Sequence, residues 1–159
     1  YLYNWFKQPW KCQKWVREVA SRFYGNTPDA LSGNDDCGQM SAWYLFNCMG
    51  FYPVAPSSNV YSIGSPCVEA LTVRMSNGKT IEMTADNWSE ENVYVKALYV
   101  NGKKYDKSYL TYDDIRDGVN LRFVMSDRPN RRRAVSDDAV APSISSPGMT
   151  VRYVQPDND

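Results

Sequence analysis

The sequence predicts an α+β fold, with helices in the first third and an antiparallel β-sandwich after them. Three observations carry that reading. Apolar residues step by three and four through residues 9–24, and a nearly continuous apolar run fills 38–49. From about residue 60 the pattern changes to short alternating runs separated by turn signals.

Pro9 suits the first position of a helix, where its missing N–H costs nothing. Cys12, Val16, Val19, Ala20 and Phe23 then form one face, and Lys11, Lys14, Arg17, Glu18 and Arg22 fill the others. This amphipathic helix spans about 9–24 and is stopped by Gly25-Asn26-Thr27-Pro28. The second helix, Gly38–Met49, is apolar on nearly every side and so demands burial on every side. One amphipathic partner is too little cover, which implies a larger helical body outside this chain. Gly50 supplies the helix stop and Pro53 prevents continuation.

Strands are expected at 61–64, 71–75, 80–84, 93–100, 121–125 and 150–154. Asn77-Gly78 and Asn101-Gly102 act as hairpin turns. Leu110–Ile115 reads as a short helix or turn. Residues 127–148, rich in Arg, Asp, Pro and Ser, read as a long mobile loop.

The 159 residues suit one domain, or a small domain plus part of another. An apolar share of 43% is enough for a core. Lys+Arg and Asp+Glu are both 18, a balance that gives no reason to expect nucleic acid. The cationic run Arg131-Arg132-Arg133 reads as a solvated loop rather than a binding patch. No stretch approaches the ~20 apolar residues of a membrane span. The opening at Tyr1, without Met, reads as cut from a longer polypeptide. The four cysteines form no C-x-x-C pair and there is no His, so zinc is not expected. Cys12 and Cys48 fall in helical apolar patterns and read as buried free thiols rather than a disulfide. Five Trp and twelve Tyr suit either sugar stacking or a β-rich core, and composition does not choose between them.

Several blocks resemble glycoside hydrolase family 92, the calcium-dependent exo-acting α-mannosidases. They are Tyr1-Leu2-Tyr3-Asn4 with Gln8-Pro9-Trp10-Lys11-Cys12-Gln13, the segment Asn26–Tyr44 containing Gly33-Asn34-Asp35-Asp36-Cys37-Gly38-Gln39, then Gly50–Val54 and Tyr61–Pro66. The resemblance runs from residue 1 to about 130. It implies that residues 1–52 are the last helices of an (α/α)6 toroid and residues 53–159 a C-terminal β-sandwich.

Inverting hydrolysis needs one carboxyl group to protonate the leaving oxygen and another to activate a water. Asp35 and Asp36 precede a helix, whose dipole favours the ionised form that a general base requires. The same cluster also reads as a plain helix cap, and the two roles are compatible. The resemblance points to Asp36 as the base. Asn34 stands where some relatives carry a second catalytic aspartate; it orients a water but takes no proton. Asp35 fills a position that is Glu or Asp in the family. Gln8, Trp10 and Gln39 are candidate sugar contacts, with support of the loop an alternative for Gln39. Trp43 reads as core.

The resemblance further implies Ca2+, with most ligands upstream, and a general-acid Glu and a His-containing block that are also upstream. The partners it implies are a mannose-containing oligosaccharide, α-1,2 linkage being the commonest expectation, and the upstream part of the same polypeptide. It implies a periplasmic or secreted bacterial location, and an isolated chain without activity. The competing readings are a non-catalytic carbohydrate-binding or assembly β-sandwich, and another (α/α)6 hydrolase or phosphorylase.

Overall fold

The structure is a computed structural model that describes residues 1–55, 58–143 and 146. The strand expected at 150–154 lies outside the described residues.

A short 3-10 turn at Leu2–Asn4 leads into helix α1, Pro9–Phe23. Pro9 takes the first position, and Cys12, Val16 and Ala20 form the buried stripe that the three- and four-residue steps predict. A second 3-10 turn, Asp36–Gly38, opens helix α2, Gln39–Met49. Gly50 ends α2 in the left-handed conformation, φ 90°, and its N–H reaches back to the carbonyls of Asn47 and Phe46.

Eight strands follow among the described residues: β1 Phe51–Tyr52, β2 Val60–Ile63, β3 Ala70–Arg74, β4 Thr80–Asp86, β5 Tyr94–Val100, β6 Lys103–Lys104, β7 Tyr109–Thr111 and β8 Val119–Ser126. The short helix α3, Tyr112–Ile115, separates β7 from β8. A capping box holds it, with Thr111 and Asp114 exchanging side-chain and backbone hydrogen bonds.

The strands form two sheets, ordered β1-β2-β7 and β3-β4-β8-β5-β6. Period-2 burial along β4 and β8 turns Ile81, Met83, Ala85, Val119, Leu121, Phe123 and Met125 inward. They pack with Phe51, Ile63 and Leu110 of the small sheet and Met49 of α2 in one core. The pairings are antiparallel except β4 with β8, which run parallel from Ile81↔Val119 to Asp86↔Val124. The chain leaves the large sheet after β6, crosses to β7 and α3, and re-enters between β4 and β5. Alternation sets which face of a strand is buried and is blind to its direction, so this pair is a departure that residue patterns do not reveal.

The helices are hydrogen-bonded to the sheets. Asn4 Nδ2 donates to Ser62 Oγ and to the Ile63 carbonyl, both at 2.8 Å. Gln13 Oε1 accepts the Val95 N–H at 3.0 Å. The Arg17 guanidinium donates to the carbonyls of Pro66 and Ser89 at 2.6 and 2.8 Å and lies over the Trp88 ring.

Helix α2 buries its Asn47–Met49 end and leaves Leu45 63% exposed, with no described residue covering that side. Two expectations change, both after β8. Among its described residues the loop there is pinned rather than loose. Asn130 donates to the Lys96 carbonyl at 2.9 Å, and Ser108 Oγ donates to the Ala139 carbonyl at 2.8 Å. Arg133, expected in solvent, is only 4% exposed, since its Nη2 donates to the Tyr105 and Lys107 carbonyls. All four cysteines are free, with Cys12 and Cys48 buried and burial pushing the Cys12 thiol up to about 11.

Candidate active site

The segment Gly33–Gln39 is a tight turn into α2. Gly33, Cys37 and Gly38 have φ of 94°, 55° and 74°, so the backbone winds through the left-handed region three times in six residues. Two glycines make that cheap, and Cys37 is the one side chain held there against its preference.

The turn gives two neighbouring aspartates different surroundings. Asp35 Oδ1 accepts the N–H groups of Met40 and Ser41 at 2.8 and 3.1 Å, and its Oδ2 accepts the Ser41 hydroxyl at 2.6 Å. These are first-turn donors of α2, which have no partner inside the helix. The Ser41 hydroxyl first, then the backbone N–H groups, holds the Asp35 carboxyl below its ordinary value. Asp36 contributes its backbone carbonyl to the Gln39 N–H, while its carboxylate is exposed and makes no hydrogen bond among the described residues. Asn34, two residues earlier, is exposed on the same turn. One aspartate is therefore spent on the helix cap, and the other keeps both oxygens available.

Aromatic rings pack around the start of α2. Tyr24, at the end of α1, donates to the Met40 carbonyl at 3.0 Å and stacks on Trp43 and Tyr44, with centroids 5.4 and 4.9 Å away. Gln39 Nε2 donates to Tyr52 Oη at 3.1 Å, and Tyr52 stacks on Tyr1 at 5.6 Å. Tyr1 hydrogen-bonds Asn47 in turn. Trp43, read as core, is half-buried within this group. Tyr24 and Tyr52 were missed because nothing in their local sequence announces a contact made across 16 and 13 residues.

Gln39 thus lies beside Asp35 and Asp36, whereas Gln8 and Trp10 lie at the other end of α1. Fourteen residues separate Trp10 from Tyr24, roughly 21 Å of helix. The Trp10 ring faces the Arg131 guanidinium of the loop after β8. No contact joins Gln8 or Trp10 to the Asp36 turn among the described residues.

Among the described residues no three His, Cys, Asp or Glu side chains converge as a metal site. A calcium ion takes six to eight oxygen ligands. With the Asp35 oxygens already accepting three hydrogen bonds, this turn does not form a calcium cage by itself, and no chemical step is drawn through the ion.

The family model of the glycosyl hydrolase family 92 catalytic domain matches residues 1–127. The chain belongs to this family. A family GH92 α-mannosidase of Bacteroides thetaiotaomicron, solved also in complex with mannoimidazole, is 79% identical over 96% of the chain, with a TM-score of 0.90. A family GH92 inverting mannosidase of the same species is 34% identical over 91% of the chain, with a TM-score of 0.84. An uncharacterized secreted glycosidase of Arthroderma benhamiae is 28% identical over 149 residues. The chain spans about a fifth of the length of each, 20% of the two structures and 19% of the fungal protein. The GH92 match ends one residue past strand β8, near the limit of about 130 read from the sequence blocks.

Proposed function

We propose that this GH92 chain supplies the general base of an inverting exo-α-mannosidase whose other machinery lies in the upstream part of the same polypeptide. The observation that carries the reading is the division between the two aspartates. Asp35 caps α2, which leaves the exposed Asp36 carboxylate with no competing partner among the described residues at the positive end of that helix. An ionised carboxylate there takes a proton from water as the water attacks the anomeric carbon. A second carboxyl group, roughly 6.5–9.5 Å away in inverting enzymes, protonates the departing oxygen. Asn34 orients the water through its amide. Gln39 borders the same turn and is the nearest of the proposed sugar contacts; Gln8 and Trp10 would have to meet the substrate from the far end of α1.

The proposed whole has residues 1–52 as the last helices of an (α/α)6 toroid and 53–159 as the terminal sandwich. The exposure of Leu2, Phe6, Trp15, Phe23 and Leu45 on the helical side supports cover by further helices. The proposed substrate is a mannose-containing oligosaccharide with a terminal α-1,2 linkage, and comparison of turnover on α-1,2-, α-1,3- and α-1,6-mannobiose tests that choice. Calcium would be held mainly by upstream residues. The proposed location is periplasmic or secreted, and the fungal relative's description as a secreted glycosidase supports the second of these. No helix among the described residues is long and apolar enough to cross a membrane.

Asp36→Asn in the full-length enzyme is the direct test. General-base loss should lower kcat by about 10²–10⁴-fold with mannoside binding kept. Unchanged turnover would sink the assignment and favour a non-catalytic, carbohydrate-binding role. The 159-residue chain by itself should release no mannose.

A further inference from the structure

The buried Arg133 marks a place the hydrolase reading leaves unexplained. Its Nη2 is used by two backbone carbonyls, but Nε and Nη1 are buried with no acceptor among the described residues. Nor does any described carboxylate form an ion pair with it. Burial lowers its pKa to about 10, so the guanidinium stays charged at neutral pH. Asp106 is the carboxylate that acts on it electrostatically, from beyond ion-pair distance. A buried cation with spare donors is costly, and native structures keep such groups hydrogen-bonded.

Arg133 is one wall of a surface cavity of about 130 Å3 between β5, β6 and the loop after β8. Lys96, Lys104 and Arg132 line it too, against a single acid, Asp106. Asn130 is already engaged, donating to the Lys96 carbonyl and accepting the Arg132 N–H, which fixes the loop around the opening. The space equals roughly four waters at liquid volume, enough for a five-atom ion. Four cationic side chains around such a volume favour a compact anion with several acceptor oxygens, and guanidinium groups match that geometry.

We propose that this cavity binds a tetrahedral oxyanion, phosphate or sulfate, either free or as a monoester on a sugar. The anion supplies acceptors for the Arg133 donors that have none among the described residues and adds negative charge to that of Asp106, and the exposed Lys96, Lys104 and Arg132 recruit it. The site belongs to the sandwich and stands apart from the Asp36 turn.

Arg133→Gln risks unfolding the loop, so the test uses the exposed rim, K104Q/R132Q, in the full-length protein. Calorimetric titration with inorganic phosphate, at ionic strength held constant with chloride, should show one saturable site weakened at least tenfold in K104Q/R132Q. Turnover of an uncharged mannoside should be the same in both proteins. Mannose 6-phosphate distinguishes the sources: tighter rim-dependent binding than inorganic phosphate assigns a sugar monoester, and equal or weaker binding assigns the free ion. Absence of saturable binding for both, or binding that K104Q/R132Q leaves unaltered, overturns the proposal. Loss of the Asp36→Asn effect would refute the hydrolase reading without touching this one.

Discussion

Asp35 and Asp36 have the same side chain and adjacent positions, and their difference comes entirely from the turn that carries them. Three donors from Met40 and Ser41 converge on Asp35 and none on Asp36. The two therefore separate experimentally. Asp35→Ala should speed hydrogen exchange at the Met40 and Ser41 amides, whereas Asp36→Asn should leave that protection intact and remove turnover. The pH dependence follows from the sign of the shift. The folded Asp35 carboxyl lies below its unfolded value, so the cap's contribution is complete above the ordinary carboxylate pKa of about 3.9. It is lost as pH falls through the depressed folded value. Exchange at these two amides, corrected for its intrinsic rate, should thus show lost protection only at acid pH, and Asp35→Asn should abolish that acid step. A step near neutral pH would show that another group holds the turn.

At the scale of elements, the junction of α2 with the sandwich rests on Gly50. Its φ of 90° disfavours any side chain, and a Cβ there would stand 2.7 Å from Cζ of the buried Phe123 ring. Left-handed backbone costs roughly 1–2 kcal/mol for a residue with a Cβ, and overpacking a core about 1–3 more. Gly50→Ala should destabilise by about 2–5 kcal/mol in equilibrium unfolding, with the damage appearing at both α2 and β8. The opposite change at the same contact, Phe123→Ala, should cost about 3–5 kcal/mol by leaving a cavity. Gly50 and Phe123 are 73 residues apart in the chain, so neither effect is visible in the sequence around either residue.

Across the molecule, α1 is fastened to both sides of the sandwich entrance by polar side chains. Arg17 ties Pro66 and Ser89 together, and Gln13 closes the backbone of β5 at Val95. Arg17→Met keeps an apolar stem over Trp88 but orphans two carbonyls; a loss of about 3–6 kcal/mol is expected, since hydrogen bonds to charged groups contribute about 1.5–3 each. Hydrogen exchange should then rise together at α1 and the 87–93 loop. Loosening confined to α1 would mean that the helix and sandwich are coupled some other way.

The sequence by itself determined which segments become helices and strands, because that depends on local periodicity. Helix α1 was legible to within a residue, and β2 to β5 and β8 were found with their turns. The Gly33–Tyr44 block also carried the resemblance that nominates Asp36 as the candidate base. β1 and β6, two residues each, were not legible, since so short a run carries no period. The tertiary structure alone decided three matters. It ran β8 parallel to β4, it assigned capping to Asp35 rather than Asp36, and it turned Arg133 from a solvated loop residue into a buried cation. The first and third depend on groups far apart in the chain being brought within a few ångströms, and the second on how a local turn of left-handed residues aims two like side chains; periodicity encodes neither.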